Sequence, residues 1–96
     1  MTSAWDDLDH LKRNLERAFE DIYRLYKLPF LRWLQKQWPT LKTEDHLDIF
    51  QDTVIQLWLN IQSGRLEVLT ASLWTYMCSI GKYLASAYWR KIRRIN

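Results

Sequence analysis

The chain has little glycine, proline or cysteine, and each shortage limits what it can be. Only two of its 96 residues are glycine and two are proline. Because runs of β-branched residues are also scarce, this composition favours helices over a turn-rich β fold. Two isolated glycines, Gly64 and Gly81, cannot build a glycine-rich phosphate loop. The single cysteine, Cys78, excludes a disulfide within the chain, which fits the reducing cytoplasm where we place the protein.

Long apolar runs and catalytic groupings are missing too. No stretch is long enough to cross a membrane or to form a signal peptide, so no membrane partner is expected. His10 and His46 lie far apart without metal-ligand spacing, and Cys78 has no histidine near it in sequence. The serines lack a nucleophile-elbow context. We therefore predict a protein that is not an enzyme, with no catalytic residue, cofactor or metal.

Charge is unevenly spread along the chain. Residues 1–67 hold nine Lys/Arg and eleven Asp/Glu, whereas residues 68–96 hold five basic residues and no acidic one. A basic end behind an acidic body indicates two surfaces with different partners, and the basic one suits phosphate. A solvated basic tail is the alternative explanation of the same charge.

The first half of the chain predicts helix. Thr2 or Ser3 can cap a helix with one apolar seam at spacings of three and four, formed by Leu8, Leu11, Leu15, Ala18, Ile22 and Leu25. Pro29 is expected to end or kink this helix, and a short second segment or a kinked continuation to reach about Trp38. The seam could pair two chains, but more apolar helices follow, which favours a bundle within one chain.

The central stretch from Glu44 to Ile61 predicts a helix capped by Thr43, with two neighbouring arcs. Its core-facing stripe holds Leu47, Phe50, Val54, Leu57, Trp58 and Ile61. The second arc, which we name the acidic arc, holds Asp48, Gln51, Asp52, Ile55 and Leu59. No lysine or arginine occurs between Lys42 and Arg65. The arc is either an acidic solvated face or a docking face for a basic partner.

The last helix is predicted to follow a loop from Gln62 to Thr70 that contains Gly64 and Arg65. Thr70 or Ser72 can cap it, and it should run to about Arg93. Its apolar arc is Leu73, Tyr76, Met77, Ile80, Leu84, Ala87 and Tyr88. The opposite arc holds Thr75, Ser79, Lys82, Ser86, Arg90 and Arg93, flanked by Tyr83 and Trp89. Basic heads can hold phosphates and the rings can stack on bases, although a merely solvated face explains the arc equally well.

These patterns predict one all-α domain over residues 1–96, a compact bundle of three to four helices. The hydrophobic content of 48% is that of a globular chain. The expected core is Leu15, Phe19, Ile22, Phe50, Val54, Leu57, Leu73, Met77, Ile80 and Leu84.

Three segments together resemble a known family. They are AFEDIYRLYKLPFLRWL, EDHLDIFQDTVIQLW and SLWTYMCSIGKYLASAYWRK. In this order and spacing they resemble region 2 of the sigma-70 family, in its extracytoplasmic-function (ECF) branch, over about residues 17–94. Asp48, Gln51, Asp52 and Trp58 fall in register with the middle motif of that family.

The resemblance implies a transcription initiation factor domain. The central helix would dock on the clamp helices of the largest subunit of core RNA polymerase, through Asp48, Gln51, Asp52, Ile55 and Leu59. The last helix and the loop before it would recognise and melt the −10 promoter element and hold its non-template strand, through Arg65, Lys82, Tyr83, Ser86, Trp89, Arg90 and Arg93. An anti-sigma factor is a further expected partner. The −35-binding region 4 is absent from this chain, which we take as a fragment or a chain cut after region 2.

Some positions depart from the family pattern. Tyr76 stands where the family often has tryptophan, Tyr83 where it often has asparagine, and Ala87 where it often has aspartate. The base preferred at −10 therefore stays open. Two other interpretations also remain, a helical protein-interaction module and a general DNA-binding module unrelated to polymerase. For the latter, Lys82 to Arg94 offers charge more than the Asn and Gln side chains that read bases.

Overall fold

A computed structural model of the chain describes residues 4–95, with side chains as far as Arg93. A 3-10 turn at Ala4–Asp6 precedes four helices, which are α1 (Leu8–Arg13), α2 (Leu15–Gln37), α3 (Thr43–Gln62) and α4 (Leu73–Ile95). No strand occurs among the described residues. The predicted all-α helical bundle is confirmed.

Helix α2 runs through Pro29 without a break, so of the two predicted outcomes at Pro29, an end or a kink, the end of the helix is wrong. Proline has no N–H to donate to the carbonyl of Leu25, four residues earlier. Leu25 is half exposed, so water can reach this part of the helix. The chain instead breaks at Asn14, between α1 and α2, where the predicted seam was continuous.

Both ends of α3 are held by local contacts. Thr43 is the first helical residue rather than the cap, and the carboxylate of Asp45 accepts the backbone N–H of Lys42 at 3.1 Å. The helix ends at a glycine, as predicted. Gly64 has a φ of 77°, in the left-handed region that glycine adopts without strain. The N–H of Leu66 then donates to the carbonyl of Asn60 at 3.0 Å, which turns the chain back.

The start of α4 is capped from two directions. The hydroxyl oxygen of Ser72 accepts the N–H of Thr75 at 3.1 Å, as predicted for a cap residue. The carboxylate of Asp6 accepts the N–H of Leu73 at 2.7 Å. Its negative charge also stabilises the helix, because it lies at the positive end of the helix dipole. Thr2 and Ser3, the predicted caps at the start of the chain, lie outside the described residues. Asp7 caps α1 through the N–H groups of Asp9 and His10.

The core is built around aromatic rings. The side chain of Phe30 is fully buried, and its ring centroid lies 5.6 Å from that of Phe50, 5.3 Å from that of Trp33 and 6.1 Å from that of Trp74. Phe50 also contacts Tyr23 of α2, with 5.1 Å between ring centroids. Because these rings come from α2, α3 and α4, one cluster fixes all three long helices.

The buried face of α3 is rotated from the predicted stripe. Ile49 and Thr53 are fully buried, whereas Leu47 is 36% exposed. Burial of Thr53 is tolerated because its hydroxyl donates to the carbonyl of Ile49 at 2.7 Å. His46, interpreted from sequence as a polar helix residue, is also buried, with Nε2 3.0 Å from the carbonyl oxygen of Trp38. A prediction from apolar residues alone therefore placed the core-facing stripe of α3 wrongly, because two of its buried positions hold His46 and Thr53.

The predicted core is correct in half of its members. Ile22, Phe50, Leu57, Leu73 and Met77 are buried, and the other five are partly buried against that core. On α2, Tyr26 is buried and Leu25 is exposed, which reverses the order that hydropathy suggested. On α4, Gly81 and Ala85 are buried, whereas Ala87, assigned to the apolar arc, is exposed. The small side of α4 at Gly81 is where the rings of Phe30 and Trp33 of α2 pack.

Gly81 of α4 lies directly against the rings of Phe30 and Trp33 of α2. A Cβ added there would lie 2.6 Å from Cζ of Phe30 and 3.1 Å from Cζ3 of Trp33. Since Phe30 is locked among other rings, it has no free volume into which it could move.

We expect Gly81→Ala to destabilise the domain, although alanine favours helix by about 1 kcal/mol over glycine. Overpacking costs about 1–3 kcal/mol, so we expect a net loss of up to about 2 kcal/mol and a lower Tm in a thermal melt. Phe30→Leu in the same chain should recover part of that loss, which a double-mutant cycle measures. A Gly81→Ala variant that melts at or above the wild type would contradict this packing.

Candidate functional site

The acidic arc lies on the solvent side of α3. All five of its residues, Asp48, Gln51, Asp52, Ile55 and Leu59, are exposed. Ile55 is 56% exposed and Leu59 is 51% exposed, although both are large aliphatic side chains. Within the described part of the chain, neither carboxylate of the arc forms an ion pair. Two carboxylates one turn apart beside an exposed aliphatic pair form a surface suited to a partner with basic and apolar side chains.

The acidic arc and the C-terminal half of α4 are neighbours. Burial raises the pKa of the Tyr88 phenol, and the nearby carboxylates of Asp48, Asp52 and Asp45 raise it further. At the other end of the seam, the side chain of Asn60 bonds to that of Tyr76. Helices α3 and α4 are therefore antiparallel. The acidic arc therefore borders Tyr88, on the side of α4 that faces α3.

The predicted basic residues of α4 point away from the core. Lys82, Arg90 and Arg93 are exposed, and Ser86 is partly exposed. They lie opposite the buried line of Leu73, Met77, Gly81 and Ala85. We call Lys82, Ser86, Arg90 and Arg93 the basic face.

The two aromatic residues predicted to flank the basic face differ in exposure. Tyr83 is 71% exposed, so its ring is open to stacking. Trp89 is partly buried and packs against the core. Tyr83 is therefore the better candidate to stack on a base, because the Trp89 ring is already used in packing.

A groove of about 520 Å³ between α3 and α4 brings Arg65 and Tyr83 together. Its wall includes a chain of hydrogen bonds that the sequence did not reveal. Nε2 of Gln56 donates to Oδ1 of Asn60 at 2.9 Å, and Nδ2 of Asn60 donates to the hydroxyl of Tyr76 at 2.8 Å. The i, i+4 spacing of Gln56 and Asn60 was a visible signal. Their link to Tyr76 was not, because it depends on how α3 and α4 pack.

A smaller cavity of about 220 Å³ lies in the loop between α3 and α4. It shares Tyr76 and Ser79 with the groove, and its other lining residues are Thr75 of α4 and loop residues that include Leu69 and Thr70. In the larger groove, Arg65 supplies a cation, Tyr83 a ring, and Asn60 and Tyr76 hydrogen-bonding groups. Such an arrangement can hold an unpaired, planar, polar group next to a phosphate.

Cys78 sits on α4, one turn before Lys82. Burial raises the pKa of its thiol to about 11, and the Lys82 ammonium only partly opposes this. The thiol is therefore protonated at neutral pH and is a poor nucleophile.

No cluster of metal ligands and no membrane-spanning helix is present in the described part of the chain. Within residues 4–95, no three His, Cys, Asp or Glu side chains are grouped to hold a metal ion. The ring of His10 stacks on that of Trp5 with centroids 4.8 Å apart. No helix in this range is long and apolar enough to cross a membrane.

Comparison with protein-family models, curated proteins and solved structures gives no match for this chain.

We expect Cys78 to alkylate about a hundredfold more slowly in the folded chain at pH 8 than in urea, because the thiolate fraction falls about tenfold for each unit of raised pKa. In the folded chain the pKa of the Cys78 thiol lies above its ordinary value of 9.0. The contribution of the neutral thiol to the free energy of unfolding is therefore complete below pH 9 and is lost as the pH rises towards 11. The measurement is the alkylation rate between pH 7 and 9.5. Equal rates in native buffer and urea would refute it.

Proposed function

We propose that this domain is a sigma region 2-like transcription initiation module. It docks on the clamp helices of core RNA polymerase through the acidic arc and binds the non-template strand of the −10 element through α4 and the preceding loop. The observation that carries this proposal is that one antiparallel helix pair carries both surfaces, with the acidic arc exposed on α3 and the basic face exposed on α4. One rigid helical hairpin thus offers an acidic docking face and a basic, aromatic groove.

Docking on polymerase draws on the chemistry of the acidic arc. Asp48 and Asp52 would pair with basic side chains of the clamp helices, which raises the encounter rate and sets the register. Ile55 and Leu59 would lose their water and supply the apolar part of the contact. Both functions need side chains that the fold leaves unused, and the arc is exposed along its length.

Strand binding draws on the groove and the basic face. Lys82, Arg90 and Arg93 would hold phosphates, and the ring of Tyr83 would stack on an unpaired base next to Arg65. The amide of Asn60 and the hydroxyl of Tyr76 would bond to the edge of that base. The base would need to be unstacked, because the ring of Tyr83 must meet one of its faces.

The proposed activity is binding and strand capture, with no catalytic step. The module would act in the cytoplasm, where RNA polymerase lies, and an anti-sigma factor that covers the acidic arc or the basic face would regulate it. The exposed Ile55 and Leu59 also support the alternative of a general protein-interaction module. Capture of core polymerase distinguishes the two functions.

Asp48→Lys/Asp52→Lys should abolish capture of core RNA polymerase in a pull-down, because it places like charges opposite the basic clamp helices. Helicity and the melt should stay near wild type, since surface changes usually alter stability by within about 0.5 kcal/mol. The matched control is Glu16→Lys/Glu20→Lys, which reverses two exposed acids one turn apart on α2. Unchanged capture by the first variant, or equal loss in both, would contradict the docking role.

Tyr83→Ala should weaken binding to single-stranded −10 DNA by about 1–3 kcal/mol, the range for one stacked base, whereas Tyr83→Phe should bind nearly as well as wild type.

Replacing Lys82, Arg90 and Arg93 together by alanine should reduce the salt dependence of binding. The slope of log K against log salt should become shallower by about two, because each lost phosphate contact accounts for about 0.7. Fluorescence anisotropy measures both effects. A Lys12/Arg13/Lys36 triple alanine is the control. Salt-insensitive binding, or a preference for duplex DNA, would reject the assignment.

A further inference from the structure

Helix α2 carries a basic and apolar surface that the proposed function does not use. We name it the α2 outer face, formed by Arg24, Leu25, Leu28, Arg32 and Lys36. All five are exposed, Leu28 by 62% and Leu25 by 50%. No acidic residue occurs between Asp21 and Glu44. Arg24 pairs with Asp21 at 3.1 Å, so the uncompensated positive charge of the face is that of Arg32 and Lys36, beside two water-exposed leucines.

The leucines indicate what kind of partner this face fits. A surface evolved only for phosphate gains nothing from exposed aliphatic side chains, whereas a protein surface with acidic and aliphatic residues would remove them from water and pair the cations. The acidic arc of this same chain has that composition, with Asp48 and Asp52 followed by Ile55 and Leu59.

The order of the two surfaces along their helices also matches. On α2 the leucines come first and Arg32 and Lys36 follow, with about 11 Å between the centres of the two pairs at 1.5 Å per residue. On α3 the acids come first and the aliphatic pair follows, again with about 11 Å between centres. When the two helices are laid antiparallel, leucines meet Ile55 and Leu59 while Arg32 and Lys36 meet Asp52 and Asp48.

We propose that a second copy of this chain docks its acidic arc, antiparallel, on the α2 outer face. Leu28 lies about 180° around α2 from Phe19, which contacts Trp58 of α3, so the α2 outer face points away from α3. A single copy therefore cannot join its own two surfaces. The contact is head-to-tail, and each pair leaves one arc and one α2 outer face free.

This self-association is weak and depends on salt. The contact covers about three turns of each helix, well below a standard interface, and its charges lie at the surface. We expect a dissociation constant on the order of 0.1 mM at low salt. Self-association stands on its own. Its regulatory consequence, that a bound copy covers the arc and keeps it from polymerase, rests on the proposed function.

Sedimentation velocity of the full chain between 10 µM and 1 mM tests the proposal. At 50 mM NaCl the average mass should rise with concentration, and at 500 mM NaCl it should fall back towards the monomer. Arg32→Glu/Lys36→Glu should be monomeric, because its α2 outer face and its arc are then both acidic. Asp48→Lys/Asp52→Lys should also be monomeric, because both surfaces are then basic.

Mixing the two variants provides the decisive measurement. Each is self-repelling, but one offers acidic and the other basic surfaces, so an equimolar mixture should associate at least as strongly as the wild type. A wild type that stays monomeric at 1 mM, association that either reversal leaves intact, or a mixture that fails to associate would overturn the proposal. Thermal melts of both variants show whether each is folded. Polymerase capture is scored separately, so failure of docking and failure of self-association give different results.

Discussion

The close contact between Gly81 and Phe30 determines how the whole bundle is arranged. Because Gly81 has no side chain, the ring of Phe30 packs directly against the backbone of α4, and α4 can take only a narrow range of rotations about its axis. That rotation turns Lys82, Ser86, Arg90 and Arg93 away from the core. The same ring contacts Phe50 and so sets the position of α3. The exposure of the acidic arc and of the basic face follows from one crowded point inside the protein.

The antiparallel pairing of α3 and α4 gives the candidate site its character. Residues far apart in sequence, such as Arg65 and Tyr83, line one groove because the chain turns sharply at Gly64. The carboxylates of Asp48 and Asp52 influence the pKa of Tyr88 across the same seam. A protein partner on one side and a nucleic acid on the other would therefore share a rigid support.

Periodicity predicted the helices well and their rotations less well. The start of α3, the turn at Gly64 and the cap at Ser72 each depend on a few neighbouring residues, so local sequence is sufficient to place them to within about one residue. The outward direction of the acidic arc was also predictable, because its charged residues cannot be buried without partners. Nearby residues are therefore enough to predict where a helix is capped, where the chain turns and which side of a helix carries exposed charge.

What sequence could not predict depends on contacts between helices. Thr53 is buried because its hydroxyl finds the carbonyl of Ile49, and Gly81 is buried because Phe30 needs the space, so hydropathy undervalued both positions. The proline at position 29 stays helical because the rest of α2 is held by the core. The hydrogen bond between Asn60 and Tyr76 depends on how α3 and α4 are aligned along their length. The residue pattern of neither helix alone predicts that alignment.

The hydrogen bond from Leu73 to Asp6 joins positions 67 residues apart, and this has a consequence for how the chain folds. During synthesis, α2 and α3 can pair as soon as both have left the ribosome, since a short turn connects them. Asp6 is made 67 residues before its partner, so this cap on the first turn of α4 can form only after both α2 and α3 have been made. The start of the helix that carries the basic face is therefore completed later than the pairing of α2 with α3 can begin.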